Sequence, residues 1–291
     1  MKYAAIDIGS NTVQMMIAIA DQGQLHDRHS WLQTTRLGSA GSNTALSPES
    51  ISDTVAAVHD FMEIINSEGV EACRILATSA VRDAENRQEL LEAIASAAPS
   101  APAVEILSGQ QEALTSYQGV QTSINAPEHW PVLDLGGSST ELIYKLGSEL
   151  SCVSGNIGAV RSHANGWDKE EICRRVRTIY HRENDADTLI GVGGTITSAA
   201  GVLAGLKQYD RTAIEGRTLR REELQGLYEQ LLPLSLPERC RFSPLLHKRG
   251  EIIQEGLEIL FAILELLQIE KLTVCGGGIM DGAIWQLANR K

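Results

Sequence analysis

"AAIDIGSNT", residues 4–12, is an apolar run that ends in an aspartate and leads into a glycine and three small polar residues. Further along, "PVLDLGGSST" at residues 131–140 repeats this form, with Asp134 matching Asp7 and Gly136 matching Gly9 at the same offset of 127 residues. Asp-x-Gly by itself is a common turn sequence. Here each copy lies within a predicted strand–turn–strand–turn–strand order, so the repeat predicts a duplicated domain.

The remaining pattern alternates predicted strands with predicted helices, which is typical of an α/β fold. Ser47-Pro48-Glu49 indicates a helix start, and helically spaced apolar residues follow it as far as Gly69. A long amphipathic helix is predicted over residues 248–267, and a last helix follows the strand and turn "KLTVCGGG". The Pro-containing stretch 123–131 predicts a boundary between domains 1–125 and 126–291, with the last helix able to pack back on the first domain.

The composition argues against several classes of function. The chain has 291 residues, 43% of them hydrophobic, and its formal net charge of -12 argues against binding DNA or anionic membranes. Five scattered cysteines without a C-x-x-C pair predict a reducing, cytoplasmic environment rather than disulfides or a zinc site. The uncharged stretch 189–206 contains five glycines, so it predicts a buried strand, turn and helix rather than a membrane span.

A tight turn of glycine and serine exposes several backbone N–H groups on one side, and such an arrangement binds phosphate. A carboxylate beside bound phosphate is repulsive unless a divalent cation lies between them. Asp7 and Asp134 therefore predict two phosphate-binding loops that face each other across a cleft, with Mg²⁺ or another hard cation such as Mn²⁺. There is no Gly-Lys dipeptide, hence no Walker A loop. A third glycine-rich turn, "GVGGTIT" at 191–197, is either a nucleotide contact or close packing of strand on helix.

Several ordered motifs resemble the exopolyphosphatase/guanosine pentaphosphate phosphatase (Ppx/GppA) family over nearly the whole chain. The motifs that carry the resemblance are "DIGSNT" (7–12), "ATSAVRDAENR" (77–87), "ILSGQQEALTSYQGV" (106–120), "DLGGSSTELI" (134–143), "IGAVR" (157–161) and "GVGGT" (191–195). The resemblance implies two duplicated actin-like (RNase H-like) ATPase-fold domains flanking a central cleft, in the family's short two-domain form. It also implies a homodimer.

The resemblance further implies particular roles. Glu112 matches the family's catalytic glutamate, which would position water and accept its proton, and Arg82 matches an arginine associated with substrate phosphate. The implied metal ligands are Asp7, Asp134 and Glu141. The implied phosphate-binding residues are Gly9, Ser10, Asn11, Thr12, Arg82, Gly136, Gly137, Ser138 and Ser139. Taken without the family, Glu112 fits a solvated helix residue, Arg82 a surface ion-pair partner and Glu141 a solvent-exposed strand residue.

This chain departs from the family pattern in three places. Gln111 stands where the family usually has a second glutamate, and Ser138 stands where it usually has a third glycine. Near the end, "GGGIMDGAI" (276–284) replaces a pattern that ordinarily carries an arginine and a glutamate, which puts that tail contact in question.

The predicted activity is hydrolysis of the terminal phosphoanhydride bond of inorganic polyphosphate. Guanosine pentaphosphate is the alternative substrate. The alternative functions are a non-hydrolytic polyphosphate or alarmone sensor, and a phosphotransferase or ATPase of the same fold. One cationic set is either a track for a long polyphosphate or a mixed solvated surface, because Asp168, Glu170 and Glu171 lie among its members. Its members are Arg161, Lys169, Arg174, Arg175, Arg177 and Arg182.

Overall fold

The computed structural model describes residues 1–21, 23–38, 45–183 and 185–289. They divide into two compact units, the first made of residues 1–123 together with the residues from 277 onward, and the second made of residues 124–276. The predicted boundary after residue 125 falls beside this division. The last helix belongs to the first unit although it follows the whole second unit in the chain.

The structure begins and ends its elements at the following residues. The strands are β1 (Lys2–Ile8), β2 (Thr12–Asp21), β3 (Gln24–Thr34), β4 (Ala72–Ala77), β5 (Val104–Ile106), β6 (Val132–Leu135), β7 (Thr140–Leu146), β8 (Glu149–Gly155), β9 (Leu189–Val192), β10 (Thr218–Arg220) and β11 (Lys271–Val274). The helices are α1 (Pro48–Ser67), α2 (Ser79–Arg82), α3 (Arg87–Ala97), α4 (Gly109–Gln121), α5 (Ala159–Ala164), α6 (Lys169–Ile179), α7 (Gly194–Leu203), α8 (Arg211–Ile214), α9 (Arg221–Leu231), α10 (Leu236–Phe242), α11 (Ile253–Leu267) and α12 (Ile279–Ala288), with a 3₁₀ turn over Pro244–Lys248.

The first unit contains a sheet in the order β3-β2-β1-β4-β5. β1, β2 and β3 form an antiparallel meander, whereas β4 and β5 run parallel to β1. Both faces of β1 are buried: Ala4 and Ile6 pack in the same core as Phe61 of α1, while Ala5 packs in a second core with Ile284 of α12. Because a strand covered on both faces needs apolar residues at successive positions, the sequence of β1 is nearly continuously apolar.

The second unit repeats this arrangement in a sheet of order β10-β11-β9-β6-β7-β8. β6, β7 and β8 form the antiparallel meander, and β9 and β11 continue it in parallel, so β8-β7-β6-β9-β11 has the same strand order as the first sheet. Leu133 and Leu135 of β6 pack in the same core as Leu257 and Leu260 of α11. The shared order, which is that of the RNase H-like and actin-like fold, confirms the predicted α/β class and the duplication.

Most predicted elements are confirmed, and one helix is shorter than predicted. Ser47 caps α1, since its side chain accepts a hydrogen bond from the Ser50 backbone N–H at 3.1 Å. The helix predicted over 248–267 begins only at Ile253, because the preceding residues 244–248 form the 3₁₀ turn. The uncharged stretch 189–206 folds as a strand and a helix joined by a turn. None of the helices in the described ranges is both long and apolar enough to cross a membrane.

Candidate active site

The predicted site residues of the first unit follow the carboxyl ends of its parallel strands. Residues 9–12 follow β1, Arg82 lies in α2 just after β4, and Glu112 lies in the first turn of α4 after β5. Loops from neighbouring parallel strands converge at this edge, where α/β proteins bind their ligands. In the second unit, residues 136–139 follow β6 and "GVGGT" follows β9, which is parallel to β6.

The turn at residues 9–12, the first glycine loop, is fixed by backbone hydrogen bonds. The Gly9 N–H donates to the Thr12 carbonyl at 3.0 Å. Behind the loop, the Ser10 carbonyl accepts from the Gly38 N–H at 2.7 Å, and the Asn11 carbonyl accepts from the N–H groups of residues 35 and 36, both at 3.1 Å. In a trans peptide the N–H points opposite to the preceding C=O, so the N–H groups of Asn11 and Thr12 face away from residues 35–38.

The turn at residues 136–139, the second glycine loop, repeats this geometry. The Gly136 N–H donates to the Ser139 carbonyl at 3.0 Å, the bond that Gly9 makes to Thr12 in the first loop. A Cβ on Gly136 would lie 2.8 Å from the Ser139 carbonyl oxygen, so the turn requires glycine there. The two loops are therefore copies of one turn in structure as well as in sequence.

Three successive carbonyls of the second glycine loop are bound from behind by residues 159–161. The Gly136 carbonyl accepts from the Ala159 N–H at 3.2 Å, and the Gly137 carbonyl accepts from the Arg161 N–H at 3.0 Å. The Ser138 carbonyl accepts from Arg161 Nε at 2.8 Å. The three N–H groups that follow these carbonyls consequently point to the opposite side, as a set of donors that suits a phosphate.

This contact gives the motif at residues 157–161 a physical role in the second glycine loop. In "IGAVR", a Cβ on Gly158 would lie 2.4 Å from the Gly137 carbonyl oxygen, so glycine allows the two backbones to approach. Arg161 then supplies both a backbone and a side-chain donor to the loop. Arg161 is thus a residue of the candidate site, although its sequence motif and its place in the cationic set do not indicate its contact with the loop.

Carboxylates stand beside both loops, in equivalent positions of the two sheets. Asp7 lies directly opposite Gln14 in the β1–β2 pair, and Asp134 lies directly opposite Glu141 in the β6–β7 pair. Glu141 is 1% exposed, which rules out the solvent-exposed reading of this residue. Its Oε1 accepts a hydrogen bond from Ser154 Oγ at 2.7 Å.

Two carboxylates on one edge fit a hard divalent cation. Mg²⁺ is usually bound by one or two carboxylates with water and substrate phosphates completing its shell, and Asp134 with Glu141 supplies such a pair of oxygen donors. Within the ranges that the structure describes, no group of three or more His, Cys, Asp or Glu side chains is placed to hold a metal without other ligands. The set Asp7, Asp134 and Glu141 therefore remains a prediction.

Tyr180 anchors the strand that carries Glu141. Its hydroxyl donates to the Thr140 carbonyl at 2.7 Å, one residue before Glu141. Burial raises the pKa of the Tyr180 phenol, and the negative charge of Glu141 raises it further. The phenol therefore stays protonated at neutral pH and acts as a hydrogen-bond donor that anchors the start of β7.

Arg82 and Glu112 form an ion pair in the first unit. Arg82 Nη1 lies 3.1 Å from Glu112 Oε2 and also donates to the Leu107 carbonyl at 2.6 Å. The Glu112 side chain is only 11% exposed and that of Arg82 is 22% exposed. Both side chains are therefore largely buried, and neither is the solvated surface residue that the sequence without the family resemblance would suggest.

The departure at Gln111 leaves helix capping intact. The Ser108 side chain accepts from the Gln111 N–H at 3.2 Å, and Gln111 Oε1 accepts from the Ser108 N–H at 2.9 Å. This reciprocal pair is a capping box, which glutamine serves as well as glutamate. It fixes the first turn of α4, in which Glu112 lies.

α12 packs closely against α4 and holds it in the first unit. A Cβ on Gly119 of α4 would lie 1.9 Å from the Gly278 carbonyl oxygen, and a Cβ on Gly282 of α12 would lie 1.8 Å from the Thr115 carbonyl oxygen. Only glycine allows the two helix backbones to approach so closely. Gln286 of α12 adds a side-chain hydrogen bond to Gln118 at 2.6 Å.

An ion pair fixes α12 to β3 as well. Arg28 Nε donates to Asp281 Oδ1 at 2.8 Å, and Asp281 is 1% exposed. The same carboxylate accepts from the Gly278 N–H at 3.3 Å through Oδ2, at the start of the helix. The unusual tail "GGGIMDGAI" therefore makes its own contact through Asp281.

The third glycine-rich turn serves close packing. Gly193 has φ +101°, and a Cβ on it would lie 2.3 Å from the Leu135 carbonyl oxygen. A Cβ on Gly194 would overlap the Arg249 guanidinium, and a Cβ on Gly256 of α11 would lie 2.4 Å from Thr195 Oγ1. These contacts support the packing interpretation of this turn.

Most of the cationic set on α6 and beside it is ion-paired. Arg174 and Arg175 both contact Glu171, at 2.7 and 2.6 Å. The hydrogen bond from Arg174 lowers the pKa of Glu171 to about 2. Arg177 lies 3.0 Å from Glu265, and Arg182 lies 3.6 Å from Asp185. This arrangement favours the mixed, solvated surface over a polyphosphate track.

The repeated RNase H-like units, each with a phosphate-type glycine loop, define a protein of the actin-like ATPase-fold class. The sequence profile of the Ppx/GppA phosphatase family matches residues 16–291, and the chain belongs to this family.

Comparison with individual proteins agrees with this assignment. The chain is 29% identical to exopolyphosphatase 2 of Mycobacterium tuberculosis over 99% of this chain and 98% of that protein. It is 27% identical to guanosine-5'-triphosphate,3'-diphosphate pyrophosphatase of Vibrio parahaemolyticus over 99% of this chain but only 59% of the longer Vibrio protein. The crystal structure of the Aquifex aeolicus Ppx/GppA family member has a TM-score of 0.82 at 24% identity, covering 100% of this chain and 99% of that one, so it shows the same fold.

Proposed function

We propose that this protein hydrolyses the terminal phosphoanhydride bond of inorganic polyphosphate and releases orthophosphate. The observation that carries the proposal is the second glycine loop, whose carbonyls are bound from behind so that successive N–H groups point the other way. Family membership and the likeness to a mycobacterial exopolyphosphatase support the same reaction.

In this mechanism the backbone N–H groups of residues 9–12 and 136–139 bind phosphates of one chain. Glu112 positions the attacking water and accepts its proton. Arg82, which lies beside Glu112, stabilises charge on the transferred phosphoryl group. Because phosphoryl transfer passes through a loose transition state, positioning and electrostatics supply most of the acceleration.

The proposed reaction also uses a divalent cation. Asp134 and Glu141, with Asp7, would hold Mg²⁺ or Mn²⁺, which when bound would neutralise charge on the departing phosphates. The family resemblance further leads us to propose a homodimer, and the five scattered cysteines support a reducing, cytoplasmic location. The net charge of -12 supports the absence of DNA or membrane partners. Light scattering of the purified protein tests the dimer.

Guanosine pentaphosphate is the second candidate substrate, because the Vibrio relative carries that activity in its name. Both substrates contain a terminal phosphoanhydride bond, so the same groups serve either one. Because most of the cations on and beside α6 are ion-paired, this surface does not favour a long polyphosphate over guanosine pentaphosphate.

The test is orthophosphate release from polyphosphate and from guanosine pentaphosphate, measured side by side with and without EDTA. We expect release from polyphosphate without any added nucleotide, and loss of release when EDTA is present. Binding of either compound without phosphate release would instead identify a sensor. Release that requires a second acceptor molecule would identify a phosphotransferase.

A further inference from the structure

A row of three polar side chains crosses the second sheet beside its glycine loop. Asp134 on β6 is paired directly with Glu141 on β7, and Glu141 is paired directly with Ser154 on β8. Directly paired residues on neighbouring strands point to the same face of a sheet. The three side chains therefore form one line, with Glu141 at its centre.

The first sheet carries a different row at the equivalent register. There Asp7 is paired with Gln14, and Gln14 is paired with Leu32. The central position is thus a neutral amide, and the third position has no hydroxyl. The hydroxyl donor accompanies the carboxylate of the second unit, which is the arrangement expected if the donor serves that carboxylate.

Ser154 holds one oxygen of the Glu141 carboxylate. Its hydroxyl donates to Oε1 at 2.7 Å, a length typical of a hydrogen bond to an ionised acceptor. The last torsion of a glutamate side chain is otherwise a broad, weakly constrained rotor. Fixing one oxygen fixes the carboxylate plane, and with it the direction in which the second oxygen presents its lone pairs.

We propose that Ser154 is a positioning residue that orients Glu141 toward a divalent cation, an inference that rests on the proposed function through the assignment of Glu141 as a metal ligand. Residues that hydrogen-bond a metal-binding carboxylate fix its orientation, and their removal weakens metal affinity about 10–100-fold. The sequence predicts the strand but does not single out Ser154, because the pairing of Ser154 with Glu141 depends on the register between β7 and β8.

The experiment measures Mn²⁺ binding to the full chain by electron paramagnetic resonance of the free ion, without any phosphate substrate. Ser154→Thr keeps the hydroxyl, whereas Ser154→Val has nearly the shape of the threonine variant but no hydroxyl. The two variants therefore differ mainly in whether a hydrogen-bond donor is present. We expect Ser154→Val to bind Mn²⁺ at least about 10-fold more weakly than wild type, and Ser154→Thr to remain near wild type. Circular dichroism establishes that each variant is folded.

A matched control lies on the same strand. Ser151 also donates its hydroxyl to a carboxylate, that of Glu183 at 3.0 Å, away from the row. Ser151→Ala should leave Mn²⁺ affinity unchanged. In a Glu141→Gln background, Ser154→Val should produce no further loss of affinity, because the two residues act through one group.

The outcomes separate this inference from the proposed function. If Ser154→Val binds Mn²⁺ as tightly as wild type, Ser154 does not position a metal ligand, whatever the enzyme does with polyphosphate. If wild type binds Mn²⁺ and Ser154→Val does not, but wild type releases no phosphate from either substrate, the positioning role stands and the proposed reaction falls. Equal weakening by Ser151→Ala would show a general effect of β8 and overturn the inference.

Discussion

The guanidinium of Arg82 and the carboxylate of Glu112 lie 3.1 Å apart, and the same Nη1 atom of Arg82 is also bound to the Leu107 carbonyl. The helix that carries Glu112 begins immediately after Leu107 and Ser108, so Arg82 fixes both the carboxylate and the backbone that leads to it. The pair thus places a proton acceptor beside a cation suited to a phosphoryl group.

Glu112→Gln should retain the fold and lose the reaction. Glutamine keeps the size and one acceptor oxygen of Glu112 but cannot accept a proton, and loss of general-base catalysis costs about 10²–10⁴-fold in rate. The measurement is the initial rate of orthophosphate release. Glu63→Gln on the exposed side of α1 is the control and should match wild type. Undiminished release by Glu112→Gln would remove Glu112 from the mechanism.

Gly136→Ala should damage the second glycine loop. The added Cβ would stand 2.8 Å from the Ser139 carbonyl oxygen, so the turn must shift and its N–H groups must move. Misplacement of a binding group by about 1 Å can cost about 10²-fold in rate. Gly226→Ala in the middle of α9 meets no atom within 4 Å and should instead raise the melting temperature without changing the rate.

If Gly136→Ala released phosphate at the wild-type rate, the loop would not be a phosphate site. Loss of folding would not answer the question, so the melting temperature of each variant is measured beside its rate. A folded Gly136→Ala protein with a normal rate is the contradicting result.

Asp281→Ala should destabilise the first unit. It leaves Arg28, a largely buried cation, without the carboxylate that lies 2.8 Å away, and breaking a buried pair from one side costs about 3–5 kcal/mol. Urea unfolding of wild type and variant measures the difference. The exposed pair Lys2–Glu68 provides the control, because Glu68→Ala should cost less than about 1 kcal/mol. Equal costs for the two variants would contradict the structural role of Asp281.

Glu258→Gln should stabilise the protein at alkaline pH. Burial raises the pKa of the Glu258 carboxyl, although the hydrogen bond donated by Tyr228 opposes this. The folded state therefore holds this proton more tightly than the unfolded chain. The stability from this group is full below the ordinary carboxyl pKa and is lost as the pH rises through the raised value.

The measurement compares melting temperatures of wild type and Glu258→Gln across pH. The melting temperature of the variant should exceed that of wild type near pH 8. The difference should vanish towards about pH 4, where both side chains are neutral. A difference that grows on acidification would have the wrong sign and would refute the assignment.

The two glycine loops could be predicted because their determinants are local. An apolar run, an aspartate and a glycine turn lie within ten consecutive residues, and the duplication supplies an internal comparison. The bond from Gly9 to Thr12 and that from Gly136 to Ser139 show that the sequence repeat encodes one turn geometry.

Other parts of the site depend on pairings that no short stretch of sequence specifies. Ser154 reaches Glu141 only in the observed β7–β8 register, and Gly282 meets α4 across more than half of the chain. The late start of α11 has a local cause that apolar periodicity does not report. The Arg249 N–H donates to the Leu246 carbonyl and the Ile252 N–H donates to the Arg249 carbonyl, each three residues back, so 3₁₀-type bonds persist up to the start of α11.

The position of α12 has a consequence for biosynthesis. Residues 277–289 leave the ribosome after every residue of the second unit, yet α4 depends on them for the glycine contacts at Gly119 and Gly282. In a nascent chain the second unit can fold before the first unit is complete, because α4, which carries Glu112, still lacks α12 as its packing partner. Translation that stops before codon 277 would therefore release a polypeptide whose second unit is complete and whose first unit lacks the helix that packs against α4, the helix that carries Glu112.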